Sequence, residues 1–115
     1  MKILAMVLLA LVVLSGDSWA QQPVIVTHAS PVPVLTTSTI VLAAATSPRR
    51  LLELVNISDT DVDCNLAGGT AGAGEGTRLK KNGGGRLYDI AVPQSAVNCI
   101  HAGSGSKTVL AGTGQ

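Results

Sequence analysis

The chain has 115 residues, with eight Lys and Arg against seven Asp and Glu for a net charge of +1, and with one Trp, one Tyr and no Phe. That balance gives no global support for electrostatic capture of nucleic acid, and the scarcity of aromatics argues against a large aromatic-lined ligand cavity. The core has to be built from Val, Leu, Ile and Ala, which suits thin sheet-on-sheet packing.

Residues 1–20 read as a cleaved secretory signal peptide. Met1 and Lys2 give a positive start, residues 3–14 are apolar, and Ser18, Trp19 and Ala20 set small residues where a signal peptidase reads. The apolar run is shorter than the roughly 20 residues a bilayer span needs, so no retained membrane span is expected. Residues 21–115 then form a single β domain, exported to the periplasm, the extracellular space or a virion surface. In that setting Cys64 and Cys99 are most simply one disulfide, the kind of staple that small domains need. With His28 and His101 they show no metal-ligand spacing, so no metal and no cofactor is expected.

Short strands divided by turn residues follow. Residues 23–28 are rich in β-branched side chains, and Pro31 and Pro33 predict an extended, irregular connection after them. Residues 36–46 and 51–57 predict two strands on either side of a break at Pro48. Residues 58–61 are a polar turn. Val62, Cys64 and Leu66 then alternate with Asp61, Asp63 and Asn65, which turns Cys64 inward and the aspartates to water. Residues 68–76 hold five glycines and exclude regular structure.

Residues 77–81 and 86–92 predict strands joined by Asn82-Gly83-Gly84-Gly85, a hairpin signal, with Tyr88, Ile90 and Val92 on one side. Residues 97–102 carry Cys99, residues 103–106 turn, and residues 107–111 make a last strand. About seven to eight short strands at this spacing imply an all-β chain, a small antiparallel β-sandwich or jelly-roll-like barrel.

Most chemical motifs fail on inspection. Gly103-Ser104-Gly105-Ser106-Lys107-Thr108 puts Ser106 where a phosphate-binding loop needs Gly, and no helix follows it. Gly72-Ala73-Gly74-Glu75-Gly76 misplaces the third glycine of a dinucleotide fingerprint. Asp59, Asp61 and Asp63 start like a calcium loop, but Cys64 and Thr70 occupy positions that need Gly and Glu. A weak calcium site between loops stays open there. No placed nucleophile accompanies His101 and Asp89, so no enzyme is expected, and His101 reads as a strand-end residue half covered by the sheet. Asn56-Ile57-Ser58 fits the glycosylation sequon. Arg78, Lys80, Lys81 and Arg86 form the one basic cluster, read either as a solvated loop or as a contact surface for a phosphate, a glycan or a protein.

One series of short elements extends over most of the chain. It runs through Arg49-Arg50-Leu51-Leu52, Asn56-Ile57-Ser58-Asp59-Thr60-Asp61-Val62, Leu66-Ala67-Gly68-Gly69-Thr70-Ala71, Gly74-Glu75-Gly76, Gly83-Gly84-Gly85 with Tyr88, and Ala96-Val97-Asn98 with Ile100-His101-Ala102-Gly103-Ser104-Gly105. This order resembles small virion-associated structural β-proteins of tailed bacteriophages and prophages. The resemblance implies a structural or accessory role on a particle surface, in repeated copies and without chemistry of its own. Its partners would be other virion or cell-surface proteins, with self-association permitted by exposed sheet edges. The alternative is a secreted or periplasmic adhesin-like module that binds a glycan or surface polymer.

Overall fold

The structure, a computed structural model, describes residues 29–115, all of whose regular elements are strands. The expected signal peptide and the strand expected over residues 23–28 lie outside these residues. Eight strands follow in order: β1 (Ser30–Val34), β2 (Thr39–Leu42), β3 (Leu51–Asn56), β4 (Val62–Asn65), β5 (Thr77–Leu79), β6 (Gly84–Tyr88), β7 (Val97–His101) and β8 (Lys107–Gly114). They form two four-stranded antiparallel sheets of order β1-β8-β3-β6 and β2-β7-β4-β5.

This order is that of a jelly roll. The nested pairs β1/β8, β2/β7, β3/β6 and β4/β5 are those of one long hairpin, folded at residues 66–76 and then wrapped so that successive pairs fall in alternate sheets. The core lies between the sheets. In β3 every second residue is buried, Leu52, Leu54 and Asn56, and these share the core with Val109 of the same sheet and with Val62, Leu79 and Val97 of the other. Period-two alternation of small aliphatic side chains is what a sandwich about 10 Å thick requires.

Several local expectations are corrected. Pro31 and Pro33 lie inside β1, not in an irregular connection, because β1 is an edge strand. Its bonds to β8 come from Ser30, Val32 and Val34, so the prolines occupy positions that need no N–H donor. The strand expected over residues 36–46 shortens to Thr39–Leu42, with a bulge between Ile40 and Leu42. The glycine-rich corner at residues 82–85 does not close a hairpin, since β5 pairs with β4 while β6 pairs with β3 in the opposite sheet. Gly84 makes that crossing possible, for a Cβ there would run into the Lys80 carbonyl oxygen. Residues 103–106 likewise cross between sheets, from β7 to β8. β6 stops at Tyr88 and Ala91 takes a φ of 51°, so Ile90 swings out to 83 % exposure instead of following Tyr88 inward.

Two groups lock segments together, one across neighbouring strands of a single sheet and one between the links that cross from sheet to sheet. Cys64 and Cys99 stand directly opposite each other on β4 and β7, with Cα atoms 4.1 Å apart, and their disulfide is buried in the core. Arg49, in the link from β2 to β3, is also buried, and its guanidinium donates to the carbonyls of Pro93 (3.0 Å), Ser95 (3.1 Å) and Ala43. Gln94 completes the clamp, since its side chain accepts from the Arg49 N–H and donates to the Arg49 carbonyl. Burial holds the guanidinium below its ordinary pKa, yet such a group stays charged at physiological pH. Replacing Arg49 with Ala strands several carbonyls and is expected to cost about 2 kcal/mol by denaturant unfolding. Lys at this position should restore only part of that loss, because a single ammonium cannot reproduce the planar fork.

Candidate contact surface

The outer faces of the two sheets are differently dressed. On the β2-β7-β4-β5 sheet the glycine-rich apex, residues 66–76, folds back over the strands. Asn98 donates to the Gly69 carbonyl (2.8 Å), Asn65 donates to the Thr70 carbonyl (3.2 Å), Asp63 accepts from the Gly74 N–H (2.7 Å), and Ser38 accepts from the Ala71 N–H (2.9 Å). The wet face read from the alternation is therefore covered, and Asp63 is only 6 % exposed. Gly76 lets the loop return to β5, with a φ of 75° and no room for a Cβ beside the Cys64 carbonyl. On the β1-β8-β3-β6 sheet, register places Leu51, Val55, Leu87 and Leu110 outward together with Glu53, and Leu87 is 61 % exposed.

The four basic residues separate into two settings. Arg78 on β5 forms a two-pronged bridge to Asp63, at 2.8 and 3.1 Å. Lys80 lies 3.6 Å from Asp61, and the Lys81 N–H donates to the same carboxylate at 2.9 Å. Arg86 stands apart on β6, in the other sheet, and donates to the Gly85 carbonyl at 3.0 Å. Asp59 in turn accepts from Lys107 at 2.8 Å. The three aspartates thus each hold a different cation, and among the described residues no set of three His, Cys, Asp or Glu side chains is arranged to ligate a metal. Together with Thr60, Arg78, Lys81, Ala102 and Gly103 they line an open depression of about 430 Å³.

These pairings lower the acid pKa values. The hydrogen bond from Lys107 holds Asp59 below its ordinary value, the Lys81 N–H does so for Asp61, and Arg78 does so for Asp63, while Asp63 raises Arg78. A carboxylate with a lowered folded-state pKa contributes stability above its unfolded value, near 4, and loses it as pH falls through the folded value. The carboxylate contribution to the unfolding midpoint should therefore decline below about pH 4, with a shallower acid decline in Asp63→Asn.

His101 is fully buried, not half covered. Its Nδ1 accepts from the Gly103 N–H at 3.1 Å, so its Nε2 is the atom that donates to the Gly105 carbonyl, at 2.7 Å. The ring thereby shapes the corner between β7 and β8 as a structural element, and the residue's position next to a Gly-Ser corner is the only sequence hint of that role. Asn56 is buried as well. Its Nδ2 donates to the carbonyls of Thr60 (2.8 Å) and Leu79 (3.0 Å), and its Oδ1 accepts from the Ser58 N–H and hydroxyl. The sequon nitrogen is therefore out of reach in the folded chain, and a glycan on it would prevent this packing.

Strand order, antiparallel register and the internal disulfide define a jelly-roll β-sandwich with its own covalent lock. Comparison with known protein families, with curated proteins and with solved structures finds no match to this chain. The disulfide is compatible with an oxidising, exported location, and no helix among the described residues is long and apolar enough to cross a membrane.

Proposed function

We propose that the protein is a non-enzymatic structural or accessory component, displayed on a phage particle or exported to the cell surface, that acts through protein contacts. The observation that carries this reading is the jelly-roll strand order, β1-β8-β3-β6 against β2-β7-β4-β5. That architecture is used by viral capsid domains, and the support is one of fold-level likeness. The polar side chains that sequence alone marks as chemical candidates are used in internal bonding: Asp59, Asp61 and Asp63 hold cations, and His101 holds a corner. Mass spectrometry of purified particles from the source tests the virion version. The intact polypeptide in stoichiometric, repeated copy supports it, and its absence from the particles removes it.

A second reading, a secreted or periplasmic module for a glycan or surface polymer, is favoured by the depression between Asp61 and Lys81. Jelly rolls also serve as lectin domains. Replacing Lys81, which lines the depression, with Ala should then weaken attachment to the surface, and unchanged attachment counts against the module.

A further inference from the structure

The four sheet edges are not equally protected. An open edge offers unpaired N–H and C=O groups to another chain, and proteins blunt such edges with proline, bulges, short strands or charge. On β1 the prolines occupy both interior positions that face outward, Pro31 and Pro33. On β2 a bulge breaks the register between Ile40 and Leu42. β5 is only three residues long, with Arg78 at its centre and Lys80 and Lys81 directly after it.

β6 carries none of the first three devices. The Ile57 N–H donates to the Thr108 carbonyl, which sets odd-numbered positions of β3 toward β8 and leaves Leu52, Leu54 and Asn56 to bond Tyr88, Arg86 and Gly84. The main-chain groups of Gly85 and Leu87 therefore face the open edge. In agreement, among the described residues the Gly85 carbonyl has no strand partner on that side, and it accepts from the Arg86 side chain. The same stretch holds the most exposed large apolar side chains of its sheet, Leu87 at 61 % and Ile90 at 83 %.

We infer that β6 pairs with β6 of a second copy, antiparallel about a twofold axis at Leu87, to give one continuous eight-stranded sheet across the dimer. The register is self-complementary. Leu87 meets Leu87 of the second copy on the outer face, and the two residues exchange both main-chain bonds. Arg86, the strand's single charge, falls opposite Tyr88 of the second copy, where a guanidinium can lie on the ring. The Gly85 carbonyl passes from Arg86 to the N–H of Asp89 in the second copy. Antiparallel pairing also brings the basic corner of Lys80 and Lys81, at the Gly84 end of the strand, toward Asp89 at the far end of its partner, twice over. A lone pair of five-residue strands buries less than a standard interface, so the contact is weak in dilute solution, with a dissociation constant on the order of 0.1 mM, and is reinforced when copies are held close together. This pairing rests on the strand edge alone and stands whether or not the protein belongs to a particle.

Sedimentation of the intact, oxidised protein over a concentration series tests it, together with amide exchange. The wild type should pass from monomer to dimer, with slowed exchange at Gly85, Leu87 and Asp89 as dimer forms. Leu87→Pro removes an outward donor and keeps the bonds to β3; Leu87→Lys places like charges across the axis. Both should weaken association at least tenfold, while the Cys64–Cys99 bridge and the circular dichroism of the monomer report an intact fold. A wild type that stays monomeric at about ten times that dissociation constant overturns the inference. So does association that both variants retain, or exchange protection that appears on another edge.

Discussion

Replacing Cys64 and Cys99 together with Ala should lower stability by roughly 4 kcal/mol, the largest effect of any change discussed, and lower the thermal midpoint by roughly 15 to 30 °C. The cysteines are 35 residues apart in sequence, so the bridge closes the chain from β4 through residues 66–76, β5 and β6 to β7 into one loop. In the unfolded chain that closure removes loop entropy, and in the folded chain both sulfurs fill core space between the sheets. Alanine leaves that space partly empty, which adds a packing loss to the entropic one. Calorimetry of the oxidised protein, the reduced protein and the double variant separates the two contributions. The oxidised form should melt highest, and the double variant should melt at or below the reduced form.

Asn56→Asp should follow, with a loss of about 3 kcal/mol or more. Asn56 is fully buried and uses both ends of its amide, donating to Thr60 and Leu79 and accepting twice from Ser58, while its main-chain carbonyl accepts from the Gly83 N–H. The side chain thereby joins the end of β3, the turn to β4 and the end of β5, and the main chain of the same residue holds the corner to β6. Aspartate is nearly the same shape but brings a buried negative charge toward two carbonyl oxygens that had received N–H donors. Protonating it restores one donor, so its deficit relative to wild type should shrink in acid. Chemical denaturation of both proteins at about pH 7 and pH 4 checks this, and an equal deficit at the two values would count against the role assigned to the amide.

Much of this scaffold is legible in the residues themselves. The alternation at Val62, Cys64 and Leu66 reads correctly because one face of β4 meets the core, and the pairing of two cysteines in a small domain needs no geometry. Strand partners are harder. Asn82-Gly83 carries the local chemistry of a hairpin, and the same turn conformation serves equally well to cross between sheets. Which of the two occurs depends on the wrapping of the whole chain, a non-local property. Pro31 and Pro33 mislead in the same way, because a proline's tolerance within a strand is decided by whether that strand becomes an edge.

The candidate site is less legible still. Asp63 has the alternation of a solvent-facing residue, and it is buried because the glycine loop that follows the strand folds back over it. Arg49 is an adjacent member of an Arg pair in sequence, and only the carbonyls of Ala43, Pro93 and Ser95, gathered from two links, single it out from Arg50. Arg78, Lys80, Lys81 and Arg86 form a cluster in sequence that the crossing from β5 to β6 divides between two sheets.

The most direct measurement is differential thiol labelling of the native protein in fractionated source material, followed by mass spectrometry of the peptides that contain Cys64 and Cys99. An exported contact protein predicts one linked Cys64–Cys99 peptide, protected from alkylation, in particles or in the extracellular or periplasmic fraction. Two freely alkylated cysteines on a polypeptide confined to the cytosolic fraction would contradict it.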